Sequence, residues 1–255
     1  MSRRFADRRA LVTGGAAGIG LATARALAAE GARIALLDID APRLDETAAE
    51  LRGTGAEVHA LAASVADPDA VRAAFAELDS RWGGLDILVN NAGVIGKRAA
   101  LDLTDEAWSR VMRINLDGVF YCAREAGRRM VAQGSGAIVN LGSIYSLVAA
   151  PERLAYCASK AAVAAMTKVL AIEWAAHGVR VNAVAPGYVE TDLIAAAVRA
   201  GEIDTVPLAR RTPVGRLARP DEIARAILFL LDPANAYVTG HMLAVDGGWT
   251  AYGYV

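Results

Sequence analysis

Seven short runs of aliphatic and β-branched residues recur along the chain, at 10–12, 33–37, 58–61, 87–89, 137–140, 180–184 and 242–245. Alanine-rich amphipathic stretches separate them. No other feature limits the fold as strongly, because strands alternating with helices build βαβ units around a parallel sheet. Helix start signals fall where this pattern needs them, with Asp67-Pro68 ahead of Ala70-Val71-Arg72 and Arg219-Pro220-Asp221 ahead of Ile223-Ala224-Arg225. Two stretches, about 104–132 and 154–176, are long for surface helices, and their alanine content leaves apolar surface for the sheet or for another subunit.

With 255 residues and 55% hydrophobic composition, the chain can bury one large core. Glycine and proline only punctuate the periodic segments, and there is no linker, repeat or low-complexity block, so a single domain over 1–255 is expected. A formal net charge of −1, from 27 basic and 28 acidic residues, lacks the basic footprint of a nucleic-acid binder. The opening Met1-Ser2-Arg3-Arg4-Phe5 leads into Ala6-Asp7-Arg8-Arg9 rather than an apolar signal core, and no uninterrupted apolar run approaches the roughly 18 residues of a membrane span. The expectation is a cytoplasmic protein with neither nucleic-acid nor membrane partners. Two cysteines, Cys122 and Cys157, give no disulfide framework. His59, His177 and His241 are scattered without metal-ligand spacing, so no metal site is expected.

Thr13-Gly14-Gly15-Ala16-Ala17-Gly18-Ile19-Gly20 follows the first strand and opens a helix, which is the context a dinucleotide fingerprint requires. Glycines allow a tight turn and close backbone approach to a pyrophosphate, and the helix N-terminus offers unpaired N–H groups. Gly14, Ala17, Gly18, Ile19 and Gly20 are the candidate phosphate-loop residues. The second strand ends at Asp38-Ile39, at the interval where an acidic side chain meets the adenosine ribose. Asp38 would repel a 2′-phosphate and no basic residue precedes the helix at Ala17, so NAD is favoured over NADP. Asp40 stands ready to cap the next helix in its place.

Tyr156 and Lys160 are four residues apart in Tyr156-Cys157-Ala158-Ser159-Lys160, on one face of a helix. A phenol beside an ammonium can move a proton on an alcohol, since a neighbouring cation favours phenolate. Alone the spacing is weak. Downstream of a nucleotide loop and of Ser143, it is not.

Taken together, the loop at 13–20, Asn90-Asn91-Ala92-Gly93 after the fourth strand, Asn115, Ser143, Tyr156 with Lys160, Pro186-Gly187 followed by Thr191, and Val245-Asp246-Gly247-Gly248 make the chain resemble the short-chain dehydrogenase/reductase family over its full length. That resemblance implies an α/β fold, a Rossmann-type doubly wound parallel sheet of about seven strands with helices on both faces, and a homo-oligomer, a tetramer in this family. It places Asn91, Ala92 and Gly93, with Ser64 and Val65, beside the adenosine half of the cofactor, and Pro186, Gly187, Val189 and Thr191 beside the nicotinamide. Ser64-Val65 is a departure, since the family often has an aspartate there; a serine hydroxyl can still hydrogen-bond. The family's catalytic roles fall on Tyr156 as general base, Lys160 as stabiliser of its phenolate and partner of the nicotinamide ribose, Ser143 as holder of the substrate oxygen, and Asn115 as positioner of a water that links Lys160 to solvent. Bringing a tyrosine from about 10 toward 7 takes roughly 4 kcal/mol, a demand assigned to Lys160 and the oxidised nicotinamide.

The pocket is expected from two segments, 144–153 and a lid at about 188–213. Tyr145 and Tyr188 are candidate substrate residues in them, joined by Ser143 and Tyr156. Glu152 is a further candidate for the hydroxyls of a polyol or sugar if the helix already includes it, and otherwise a solvated first-turn residue. Arg199, Arg210, Arg211 and Arg216 are available for an acidic substrate or for surface pairing. The expected reaction is NAD-dependent oxidation of a secondary alcohol, a polyol or sugar derivative, to the ketone. A 3-oxoacyl-thioester reductase is the alternative enzyme, a cofactor-dependent isomerase an outsider, and a nucleotide-sensing protein without turnover the alternative of another class.

Overall fold

The computed structural model describes residues 3–199, 201 and 203–253. All seven expected strands form, as β1 (Arg9–Thr13), β2 (Arg33–Asp38), β3 (Val58–Ala62), β4 (Ile87–Asn90), β5 (Gly136–Leu141), β6 (Val179–Pro186) and β7 (Met242–Val245). They pair in parallel in the order β3-β2-β1-β4-β5-β6-β7. The chain runs outward from β1 to β3, returns, and runs outward the other way from β4. A crevice therefore opens at the carboxyl ends of β1 and β4, where doubly wound sheets bind ligands.

Alternating residues of each strand feed two apolar layers. Ala10, Val12, Ile34, Leu36, Val139 and Val184 face one layer, which α1 (Gly18–Ala29), α2 (Ala41–Gly53) and α9 (Pro220–Leu231) cover. Leu11, Ala35, Leu37, Leu88, Ile138 and Val181 face the other, under α3 (Pro68–Trp82), α5 (Gly118–Gln133) and α6 (Leu154–Trp174). The near-continuous apolar strands follow from this two-sided cover. Helix starts obey local chemistry. Asp67 accepts hydrogen bonds from Asp69 and Ala70 N at the head of α3, and Asp40 accepts from Arg43 N at the head of α2.

The helical stretch expected at about 104–132 is divided. Following α4 (Asp105–Met112), Arg113–Asp117 takes a wider π turn before α5 begins. A Cβ on Gly118 would stand 2.8 Å from the Val65 side chain, so α5 approaches the β3 exit more closely than any other residue would allow. The residues Leu154–His177 form a helical stretch long and apolar enough to cross a bilayer by length and composition; here α6 packs on the sheet and buries Ser159, Lys160, Val163 and Thr167.

The segment expected as a lid carries two short helices, α7 (Asp192–Arg199) and α8 (Thr205–Arg211). Its base is pinned where Glu190 N donates to Ala218 O at 2.8 Å and Ala218 N donates to Tyr188 O at 2.9 Å. Residues 200 and 202 of that segment lie outside the described residues.

Candidate active site

At the crevice a cavity of about 450 Å³ runs from the loop after β1 to the C-terminal ends of β5 and β6. Its first wall is the glycine loop. Gly14 and Gly18 have φ of +61° and +53°, and Ala17 at the head of α1 offers no side-chain cap, so the first-turn N–H groups are left for a ligand. Gly14, Ala17, Gly18 and Ile19 line the cavity. Gly20 does not, contrary to the sequence expectation: a Cβ there would sit 2.1 Å from the Gly14 carbonyl, so this glycine is required for packing of loop on helix.

Asp38 lines the same wall, with Ile39, Ser64 and Val65 beside it. One Asp38 oxygen accepts from Ala16 N at 3.1 Å and the other from Asp40 N at 3.1 Å. Asp40, not Asp38, caps α2, and Asp38 instead braces the glycine loop at this wall of the cavity. The Ser64 hydroxyl accepts from Ala66 N. Asn91, Ala92 and Gly93 line the cavity next. The Asn91 amide is spent inside the protein, donating to Thr13 O at 3.0 Å and Gly14 O at 2.9 Å, which ties the exit of β4 to the glycine loop. Pro186, Gly187, Val189 and Thr191 line the far side, and a Cβ on Gly18 would meet the Thr191 methyl at 3.3 Å, so the wall after β6 reaches back to the loop.

Ser143, Tyr156 and Lys160 converge at the inner end. Ser143 is buried, and its hydroxyl accepts from Tyr145 N at 3.2 Å, so it caps the short turn Ile144–Ser146 while facing the cavity. Lys160 is buried beneath Tyr156, donating from Nζ to Leu141 O at 2.7 Å and lying 5.8 Å from the Tyr156 ring centroid. Burial pushes its ammonium down to about 8. Burial pushes the Tyr156 phenol above its ordinary value, against lowering by the Ser143 hydroxyl and by the charge of Arg153. The lowering expected from Lys160 is thus not a property of the protein groups alone.

Asn115 lies in the π turn, fully buried and off the cavity surface. Its Oδ1 accepts from Val94 N at 2.8 Å, and its Nδ2 donates to Val94 O at 2.9 Å and to Ser159 Oγ at 3.3 Å. Behind Gly93, Asn115 Oδ1 and Lys160 Nζ come close together: a Cβ on that glycine would be 3.3 Å from one and 3.7 Å from the other.

Tyr145 and Tyr188 both line the cavity, and their hydroxyls share a 2.7 Å hydrogen bond. Edge-on ring contacts continue from Tyr156 to Tyr145 and from Tyr188 to Trp249. Glu152 is displaced from this wall. It precedes α6, has φ of +60°, is exposed, and pairs with Lys97 at 3.6 Å. Among the expected lid arginines, Arg211 stacks on Trp249 and Tyr252 and Arg216 pairs with Glu222; the cation that lines the cavity from the expected segment 144–153, with no role of its own assigned from sequence, is Arg153.

Set beside known proteins, residues 14–250 match a family model described as enoyl-(acyl carrier protein) reductase. The chain is 47% identical to cis-4-hydroxycyclohexanecarboxylate dehydrogenase of Sinomonas cyclohexanicum, over 98% of this chain and 100% of the other. The chain belongs to the short-chain dehydrogenase/reductase family. Galactitol 2-dehydrogenase (L-tagatose-forming) of Cereibacter sphaeroides is 48% identical over 95% of each chain. A crystal structure of a gluconate 5-dehydrogenase of Burkholderia cenocepacia, in complex with NADP and tartrate, superposes with a TM-score of 0.92 at 40% identity, covering 98% of each chain. The protein is a short-chain alcohol dehydrogenase/reductase that uses a nicotinamide cofactor, and the uncapped helix, the bare glycine loop and the cavity joining them to Tyr156 fit such a dinucleotide.

Proposed function

We propose that the protein oxidises a secondary alcohol, of the polyol or cyclic-alcohol kind, to the ketone with NAD. The observation that carries this reading is the convergence of Ser143, Tyr156 and Lys160 at the inner end of a cavity whose outer end is the glycine loop and Asp38. The names of the two dehydrogenase relatives, one acting on a hydroxycyclohexanecarboxylate and one on galactitol, support the substrate kind. Asp38 on the cavity wall at the end of β2 supports NAD, since a carboxylate there accepts from a ribose hydroxyl and would repel a 2′-phosphate.

When bound, the nicotinamide supplies the hydride acceptor. The protein's own groups handle the oxygen. The Ser143 hydroxyl holds the alcohol oxygen, Tyr156 takes its proton as general base, and Lys160 beneath the phenol stabilises the negative charge that results and would hold the nicotinamide ribose. Asn115 fixes Val94 and Ser159, and the approach of its Oδ1 and the Lys160 ammonium behind Gly93 supports the reading that it helps hold a water at that ammonium. General-base assistance of this kind is worth about 10²–10⁴ in rate.

Assembly belongs to the same proposal. Phe120 on α5 and Val169 and Ile172 on α6 are exposed, Ile172 at 80%, which supports a homo-oligomer, a tetramer on the family pattern. Free Cys122 and Cys157 support a reducing, cytoplasmic setting.

The test is initial-rate assay of NAD and of NADP reduction with polyols, cyclic alcohols, hydroxy acids and hydroxyacyl thioesters. Turnover of cyclic alcohols or polyols with NAD at higher kcat/KM than with NADP is expected. Turnover with NADP only would overturn the cofactor assignment; thioester turnover alone would make the protein an acyl-thioester reductase. Cofactor binding with no turnover of any alcohol would make it a nucleotide sensor.

A further inference from the structure

We propose that Arg153 binds a carboxylate on the substrate, so that the secondary alcohol accepted here is a hydroxy acid. The inference deepens the oxidation just described and rests on it for the fate of the hydroxyl.

Arg153 is held in place by backbone. Arg98 N donates to Glu152 O at 2.8 Å, Arg98 and Arg153 form a parallel bridge, and Cys157 N donates to Arg153 O at 2.8 Å as α6 begins. The residue is the N-cap of α6, three positions before Tyr156 in the chain. It lines the same cavity as Ser143, Tyr145, Tyr156 and Tyr188. Its charge reaches both phenols, lowering Tyr156 and Tyr145 against the burial that raises them.

The guanidinium has no acceptor of its own. Among the described residues, Glu152 beside it in the chain pairs with Lys97, and Asp192 on the same cavity pairs with Arg43. At the other end of the cavity Asp38 is taken by Ala16 and Asp40 N–H groups. The remaining cation, Lys160, donates to the Leu141 carbonyl. Arg153 is therefore the cavity's one charged side chain, among the described residues, for which no ion pair or side-chain hydrogen bond is formed.

The cavity that Arg153 lines is mostly apolar, and an unpaired charge in it is costly. Val94, Ile95, Ile144, Ile194 and Ile203 supply apolar walls, and the two tyrosine hydroxyls satisfy one another. A partly buried guanidinium in such walls is stabilised by an anion that shares its planar fork, and a carboxylate accepts two parallel N–H bonds from it. A single cation matches a monoanion; a phosphate dianion would call for further donors. With the hydroxyl at Tyr156 and the carboxylate at Arg153, the apolar walls are left for the carbon frame between them.

The experiment pairs acids with neutral partners of similar shape: 4-hydroxycyclohexanecarboxylate with 4-methylcyclohexanol, and gluconate with glucitol. The readout is the ratio of kcat/KM for acid over neutral alcohol, in which any effect of Arg153 on the Tyr156 phenol cancels. Wild type should prefer the acid of at least one pair by tenfold or more. Arg153→Gln should cut that ratio roughly 10–100-fold and Arg153→Lys should recover part of it, as expected for loss and partial return of a charge-assisted bond. Calorimetry on the NAD-loaded protein with partners that lack the hydroxyl gives a reading independent of turnover, with cyclohexanecarboxylate expected to bind more tightly than cyclohexanecarboxamide in wild type but not in Arg153→Gln. Thermal melts check that the variant is folded. Turnover without preference for either acid, or an unchanged ratio in a folded Arg153→Gln, overturns the carboxylate assignment and leaves alcohol oxidation standing. Absence of turnover with every alcohol overturns the oxidation, and the calorimetry then decides Arg153 by itself: equal or undetectable binding of acid and neutral partner sinks the assignment.

Discussion

Lys160 Nζ donates to the Leu141 carbonyl at 2.7 Å, which holds the ammonium under the Tyr156 ring at the end of β5. The bond joins the helix that carries the base to the strand that leads into Ser143. It also keeps a cation where burial pushes its pKa from 10.5 down to about 8.

That shift makes a stability prediction with a defined sign. The folded value is the lower one, so between about 8 and 10.5 the unfolded chain binds more protons and stability rises with pH; below about 8 the fold carries the full cost of the buried charge. The cost is about 3 kcal/mol at 1.36 kcal/mol per pKa unit. Lys160→Met removes this dependence. Urea unfolding of both proteins from pH 7 to 10 should show wild type gaining on the variant as pH rises, and a constant difference would mean that Lys160 titrates normally. Activity should fall in the variant at every pH.

Tyr156→Phe keeps the ring and its edge contact with Tyr145 but removes the phenol. We expect kcat to drop by about 10²–10⁴ while the Kd for NAD changes only a few-fold, since the adenosine wall does not involve this oxygen. In wild type the rate of oxidation should rise with pH on the alkaline side, because burial raises the phenol that must lose its proton. A variant retaining a tenth or more of wild-type kcat would show that Tyr156 is not the base.

Asn91→Ala tests the tether between β4 and the glycine loop. Two carbonyls, Thr13 and Gly14, lose their donor, and the loss of stability should be about 1–3 kcal/mol. The loop shapes the cofactor end, so KM for NAD should rise more than kcat falls. Equal loss in kcat, with KM unchanged, would place the role of Asn91 in the chemistry instead.

The strands, their parallel pairing and most cavity residues were legible in the sequence because they depend on local patterns: apolar runs, a glycine loop before a helix, and motifs carried in order. What the sequence did not show depends on how segments meet. Gly20 looks like Gly18 in the motif, yet its space is filled by the Gly14 carbonyl rather than facing the cavity. Glu152 appears well spaced from Tyr156 only if α6 starts earlier; its positive φ puts it outside the helix and toward Lys97. The π turn at Arg113–Asp117 is invisible to a helical period, and Arg153 acquires its interest only from the cavity it enters and the carboxylates that pair elsewhere.

Asp38 gives a last prediction, on cofactor choice. Its two oxygens accept from the Ala16 and Asp40 N–H groups, so it both braces the loop and keeps negative charge on the cavity wall where the proposed NAD would set its adenosine. Arg43 lies near enough for the charges of Asp38 and Asp40 to favour its guanidinium, although its hydrogen bond goes first to Asp192. Removing the Asp38 charge therefore leaves a cation beside the ribose site. Asp38→Ala should raise the ratio of kcat/KM with NADP to that with NAD by roughly 10–100-fold, the range expected when a repelling charge is removed and a charge-assisted contact becomes available. Asp38→Asn separates the two duties, since it removes the charge and keeps one oxygen for the loop. A rise in the ratio with both variants assigns the preference to charge. A loss of rate with both cofactors alike, in Ala but not in Asn, would make Asp38 a brace for the loop and leave NAD preference to other residues.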